Sequence, residues 1–255
     1  GRAGMQYRDL IPGRLAGAVI ASHIRIPGGG AVADYVHYHK VGFQMIFCLT
    51  GQARLVYEDQ GAPFVMRAGD CVLQPPGIRH RVLESAAGLE VLEISCPARH
   101  ETWRDHELTL PTAHVRPDRI WGEQRFVRSR AREGVWERGA GLSGASQDFE
   151  SRETGIAAAT NGLADVCVIR TVSGRESARM HGRHAGAFLF LFVLDGEMSL
   201  TTPGEDAQRL RAGDSCLFPG GIDYSLRAGA GFAALAVLAE RRLFADAAPG
   251  ATPVC

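Results

Sequence analysis

The sequence predicts an all-β chain made of two tandem barrels or sandwiches, and three observations carry that expectation. Short apolar, β-branched runs separated by Gly-, Pro- and Asp-bearing turns recur through most of the 255 residues. Helical patterns hardly interrupt them, which disfavours a βαβ sheet. The turn sequence Arg67-Ala68-Gly69-Asp70 also returns, as Arg211-Ala212-Gly213-Asp214, about 145 residues later.

In the first half, Met45 to Leu49, Ala53 to Glu58, Cys71 to Gln74 and Leu89 to Ser95 read as strands. The second half repeats the layout. Pro75, Gly77 and Ile78 recur as Pro219, Gly221 and Ile222, His39 as His184, and Gly51 as Gly196. A period of this length is too long for a solenoid and marks duplication of a whole domain. The expected organisation is a first domain over 5–100, a linker over 101–151 and a second domain over 152–245. The linker is polar and arginine-rich, with Trp103, Trp121 and Trp136. A short helix is expected over Asp118 to Arg132 and a flexible loop over Gly139 to Ser146. Its histidines, His100, His106 and His114, are expected at the surface.

Composition excludes several function classes. Lys+Arg and Asp+Glu balance at 28 each, so nothing favours nucleic acid or an anionic membrane as a partner. The apolar run from Phe188 to Leu194 is far short of a membrane span. Met5 reads as the native start without a leader, and the six cysteines contain no CxxC pair. A cytoplasmic protein with reduced, buried thiols is expected, and Cys48 alone shares strand parity with a candidate site residue.

That site is read from histidines. His37 and His39 lie two apart, so an extended strand projects both from one face. Nine histidines in the chain would supply about 0.3 such pairs by chance, and the context is what raises the signal. Gln44 follows at the wrong parity for an unbroken strand, and Gly42 supplies a turn or bulge that redirects it inward. Gln44, Ile46 and Cys48 then share a face. His80 follows Pro75-Pro76-Gly77, a tight turn that aims the next strand at the same cavity. His37, His39, Gln44 and His80 are thus candidate metal ligands.

These residues resemble the cupin superfamily, and the doubling resembles a bicupin. The first family motif is Gly, five residues, His-x-His, three or four residues, Glu, six residues, Gly. His37, His39 and Gly51 fit it, Gln44 stands where Glu is usual, and Gly30 sits one position early. The second motif is Gly, five residues, Pro-x-Gly, two residues, His, three residues, Asn. Gly69, Pro75, Gly77 and His80 fit it, and Glu84 replaces Asn. The resemblance implies two jelly-roll (double-stranded β-helix) barrels joined by a partly helical linker. In the second copy Gly182, Leu189 and Tyr224 stand where the first has His37, Gln44 and His80. That copy is expected to be a metal-free structural or dimer-forming module.

Three imidazoles and a carboxamide leave a divalent ion its full charge, which favours an anionic, oxygen-bearing substrate. Ligand type leaves Fe, Ni, Zn, Mn, Co and Cu open, with one ion per chain. The expected activity is that of a metal-dependent enzyme on a small oxygenated acid, with oxygenase-type chemistry placed first. Two alternatives stay open: a non-redox isomerase or tautomerase of a sugar or keto acid, and a non-catalytic ligand-binding or regulatory cupin. A homodimer is a further expectation. No general base is assigned. Glu93 and Tyr57 are pocket candidates whose direction strand parity does not fix.

Overall fold

The computed structural model describes residues 4–139 and 146–244, so the loop expected over Gly139 to Ser146 falls mostly outside the described residues. Two compact units are present. One runs to Glu133 and includes Ala159–Asn161, and the other holds Gly134–Ala158 and Gly162–Leu243. The first contains β1 (Gln6–Asp9), β2 (Ile20–Ile26), β3 (Gly30–Ala31), β4 (His37–His39), β5 (Phe43–Thr50), β6 (Gln52–Tyr57) and β7 (Phe64–Arg67). It continues with β8 (Cys71–Leu73), β9 (His80–Ser85), β10 (Leu89–Cys96), β11 (Thr102–Arg104), β12 (Ile120–Trp121), β13 (Gln124–Arg125) and β14 (Val127–Ser129). The second contains β15 (Glu137–Arg138), β16 (Phe149–Glu153), β17 (Ala164–Thr171), β18 (Ser177–Arg183) and β19 (Phe188–Asp195). It ends with β20 (Glu197–Thr201), β21 (Gln208–Arg211), β22 (Ser215–Pro219), β23 (Asp223–Gly229) and β24 (Ala233–Ala239).

The first unit is a jelly-roll barrel of two antiparallel sheets, ordered β1-β2-β10-β5-β8-β14 and β11-β4-β9-β6-β7. Ile24, Cys48, Val72 and Val91 of one sheet form a single apolar cluster with Ala53, Leu55, Tyr57 and Met66 of the other, so the sheets face one another. The second unit repeats this with β17-β24-β19-β22 opposite β18-β23-β20-β21.

The repeated turn sequence has a structural cause in both halves. Asp70 accepts a hydrogen bond from the Arg67 amide at 2.9 Å, and Asp214 accepts one from Arg211 at the same distance. Each aspartate thereby closes the turn that feeds the next strand. Gly51 and Gly196 sit in the hairpins β5–β6 and β19–β20 with φ of 76° and 69°. A Cβ there would meet Leu89 at 3.1 Å or Phe232 at 3.0 Å, so both conformation and space require glycine.

The linker departs from expectation. In place of a helix over Asp118 to Arg132 stand the hairpin β12–β13, the strand β14 and one 3-10 turn at Ala131–Glu133. Gly122 and Glu123 both have positive φ, the two-residue turn that matches strand twist. Tertiary packing then holds the hairpin. Trp121 is buried in the first barrel's apolar cluster, Phe126 packs 4.7 Å from the Tyr57 ring, and Gln124 donates to the Gly42 carbonyl. β11 and β14 extend the two sheets of the same unit. Much of the predicted linker is thus part of the first barrel.

A clasp fastens it. Asp59, 2% exposed, accepts hydrogen bonds from Arg116 at 2.9 Å and Arg119 at 2.7 Å, and its amide donates to Thr112. Burial alone raises the Asp59 carboxyl, but the bonds from Arg119 and Arg116 outweigh it and hold the group below its ordinary value. A depressed folded value means the clasp stabilises fully above the unfolded carboxyl pKa of about 4 and is lost as pH falls through the folded value. Asp59→Asn should therefore cost roughly 1–3 kcal/mol at neutral pH, measured by urea unfolding. The difference from the parent protein should shrink below about pH 4; a difference that stays constant or grows there contradicts the account.

Candidate metal centre

β4 delivers His37 and His39, and Lys40–Gly42 then carries the chain from one sheet to the other. The predicted turn at Gly42 is thus a change of sheet, after which Gln44, Ile46 and Cys48 point into the barrel. His80 arrives by a type II turn. Ile78 donates to the Pro75 carbonyl at 3.2 Å, Pro76 occupies the second position and Gly77 has φ of 78°. The Gly77 amide also donates to the His39 carbonyl at 3.1 Å, which ties the turn to β4. His37 and His80 become direct register partners.

The three imidazoles converge. Their ligand atoms lie within 4.8 Å of one another, with His37 and His80 each 6% exposed and His39 half-buried. His37 Nδ1 lies 2.8 Å from the Tyr35 carbonyl and His80 Nδ1 lies 3.1 Å from the Ile78 carbonyl. A carbonyl only accepts, so each Nδ1 carries a proton, and in the neutral form of either ring Nε2 is then the nitrogen with the lone pair. Thr102 holds His39 Nδ1 at 2.9 Å. Hydrogen bonding through the far ring nitrogen is the arrangement that orients imidazole toward a metal, and these residues fit a divalent ion of borderline softness.

Gln44 is 1% exposed and belongs to a chain of side chains that sequence reasoning missed in part. The Tyr57 hydroxyl donates to Gln74 Oε1 at 2.6 Å, and Gln74 Nε2 donates to Gln44 Oε1 at 2.9 Å. Gln44 Nε2 donates to Glu93 Oε1 at 3.2 Å, and Ser95 donates to the same oxygen at 3.3 Å. Both residues whose direction was open therefore face inward. Tyr57 is fully buried, its ring stacked 5.4 Å from that of His80, and burial followed by the charge of Glu93 pushes its phenol far above its ordinary value. It serves as a donor. The Glu93 carboxylate thus stands one hydrogen bond behind Gln44.

Two other expectations change. His106 and His114 are exposed as predicted, but His100 is half-buried with its ring 5.4 Å from that of His39. Cys48, considered as a pocket residue, is fully buried in the apolar cluster, where desolvation and then Asp70 push its thiol up to about 12. The five described cysteines are free thiols.

The second barrel keeps the scaffold and loses the donors. Gly182 and Tyr224 are register partners, as His37 and His80 are in the first. A Cβ on Gly182 would meet the Tyr224 hydroxyl at 2.5 Å, so the phenol ring fills the space of the lost imidazole. Leu189 and Phe218 are buried beside it, and burial pushes the His184 imidazole below its ordinary value. His181 points out to solvent. Among the described residues, His37, His39 and His80 form the sole cluster of this kind.

A family model described as "Cupin domain" matches residues 22–95 and 168–237. No curated protein sequence matches the chain. Among solved structures, protein Ylba from E. coli is 12% identical with a TM-score of 0.61, over 92% of this chain and 82% of its own. Salicylate 1,2-dioxygenase from Pseudaminobacter salicylatoxidans is 16% identical, TM-score 0.61, over 88% and 71%. Oxalate decarboxylase of B. subtilis is 15% identical, TM-score 0.61, over 94% and 74%. At these identities the likeness is one of fold. Among the described residues, no helix is long and apolar enough to cross a membrane.

The geometry predicts which histidines matter. His80→Ala should lower affinity for cobalt(II) at least tenfold, an order of magnitude typical for loss of a ligand or its support. His184→Ala should leave it unchanged. Equal affinity in the His80 variant and the parent protein, by isothermal titration, contradicts the assignment.

Proposed function

Because this chain belongs to the cupin family, with a cupin match in each of its two barrels, we propose that it is a metal-dependent enzyme acting on a small, oxygenated, anionic organic substrate. One divalent transition metal is held in the first barrel by His37, His39 and His80, with Gln44 as fourth ligand. The observation that carries the reading is the convergence of three imidazoles, two of them with Nδ1 bonded to a backbone carbonyl. Such an ion supplies Lewis-acid polarisation of a bound oxygen and, if redox-active, electron transfer.

The chain's own residues do the rest. Tyr35 and Ile78 hold His37 and His80 through backbone carbonyls, while Tyr57 backs the His80 ring. Near-complete burial of His37, Gln44 and His80 keeps bulk water from the donors, which strengthens every charge interaction inside. Oxygenase chemistry is the preferred branch, and the shared fold of a salicylate 1,2-dioxygenase is compatible with it. The cytoplasm as location and a homodimer as assembly belong to the same reading.

The test is turnover of hydroxylated aromatic acids, keto acids and sugar acids by the iron(II)-loaded protein in an oxygen electrode. Oxygen uptake matched to substrate loss, abolished by chelation, is the expected result. Product formed under strict anaerobiosis replaces oxygenase with isomerase or tautomerase. Saturable binding of these acids with no turnover replaces both with a binding or regulatory role.

A further inference from the structure

We propose that Glu93 is the positioning residue of the metal centre, holding one hydrogen bond behind Gln44 the carboxylate that the cupin motif normally places at position 44. The proposal rests on the reading of His37, His39, Gln44 and His80 as the ligand set.

The polarity of the chain supports it. A carboxylate only accepts hydrogen bonds, so the Gln44 amide must turn its nitrogen to Glu93 and its oxygen away. That oxygen receives Gln74 Nε2, whose own oxygen receives the Tyr57 hydroxyl. Every member donates in one direction, ending at Glu93 Oε1, where Ser95 adds a second donor. The orientation of both amides is thus fixed from the Glu93 end, and the Tyr57 hydroxyl, able to donate or accept, follows it; Gln44 Oε1 keeps a second lone pair for an ion.

The same polarity explains glutamine at position 44. A glutamate there would set two carboxylates against each other at 3.2 Å and remove the donor that Glu93 accepts. Carboxylate at 93 therefore requires a neutral donor at 44.

The second barrel supplies an independent observation. Gln44 pairs with Ser95 as Leu189 pairs with Leu238, and Ile46 with Glu93 as Leu191 with Ala236. Gln74 follows Leu73 as Phe218 follows Leu217 in the matching strand. The positions of Gln44, Gln74, Glu93 and Ser95 are thus Leu189, Phe218, Ala236 and Leu238. The barrel closes without any of these four, so they serve the site and not the fold.

A charge-exchange cycle tests this: the parent protein, Gln44→Glu, Glu93→Gln, and the double variant. Thermal unfolding in excess chelator reads the orientation without metal. Gln44→Glu should lower the midpoint. The double variant, in which the new amide at position 93 donates to the new carboxylate at position 44, should recover most of the loss. Cobalt(II) titration reads the charge. Glu93→Gln should weaken binding about tenfold, and the double variant should return to within about threefold of the parent protein. A double variant no more stable than Gln44→Glu overturns the orienting role. Unchanged cobalt affinity in Glu93→Gln overturns the electrostatic role. No cobalt uptake by the parent protein overturns the ligand reading and the electrostatic role together, while the chelated-state rescue still decides orientation.

Discussion

Polar groups sealed inside an apolar β-barrel must find their partners within it, and that demand sets the direction of nearly every side chain at the candidate centre. His37 and His80 donate their Nδ1 protons to nearby carbonyls. Two glutamines, a tyrosine, a serine and a glutamate satisfy one another across three strands and a turn. Their far ring nitrogens held in this way, His37 and His80 gather with His39 so that ligand atoms of the three imidazoles lie within 4.8 Å of one another. Order at the centre is therefore a consequence of satisfying buried polar groups.

The second barrel shows what the fold requires when that demand is removed. It keeps the sheet order, the Asp-closed turn and the hairpin glycine. It replaces the polar interior with leucine, phenylalanine and alanine, packed with Tyr224 in the space of an imidazole. Such a core gains from burial without the cost of desolvating amides and a carboxylate. The polar chain of the first barrel is a cost to stability at its own location, carried by the apolar clusters around it.

The sequence made the histidines legible because two local rules fix them: strand parity for His37 and His39, and a Pro-Gly turn for His80. The Tyr57–Gln74–Gln44–Glu93 chain obeys no local rule. Its links join residues 17, 30 and 49 apart in sequence, brought together only by the closure of two sheets. Parity could place Glu93 on a strand but could not say which face the register would turn inward. The hairpin at Trp121 to Gln124 was hidden for a different reason. Gly122 gave half of a two-residue turn signal, while Glu123 is an unusual residue at positive φ. Tertiary burial of Trp121 and Gln124 overrode the helical pattern read over Asp118 to Arg132.

The central claim is that one barrel of the pair binds a metal at its three histidines. An anomalous-difference map from crystals of the manganese-loaded protein tests it directly. The account predicts one strong peak per chain, at bonding distance from His37, His39 and His80. A peak beside His184, or full manganese content with no peak at the three histidines, would contradict it.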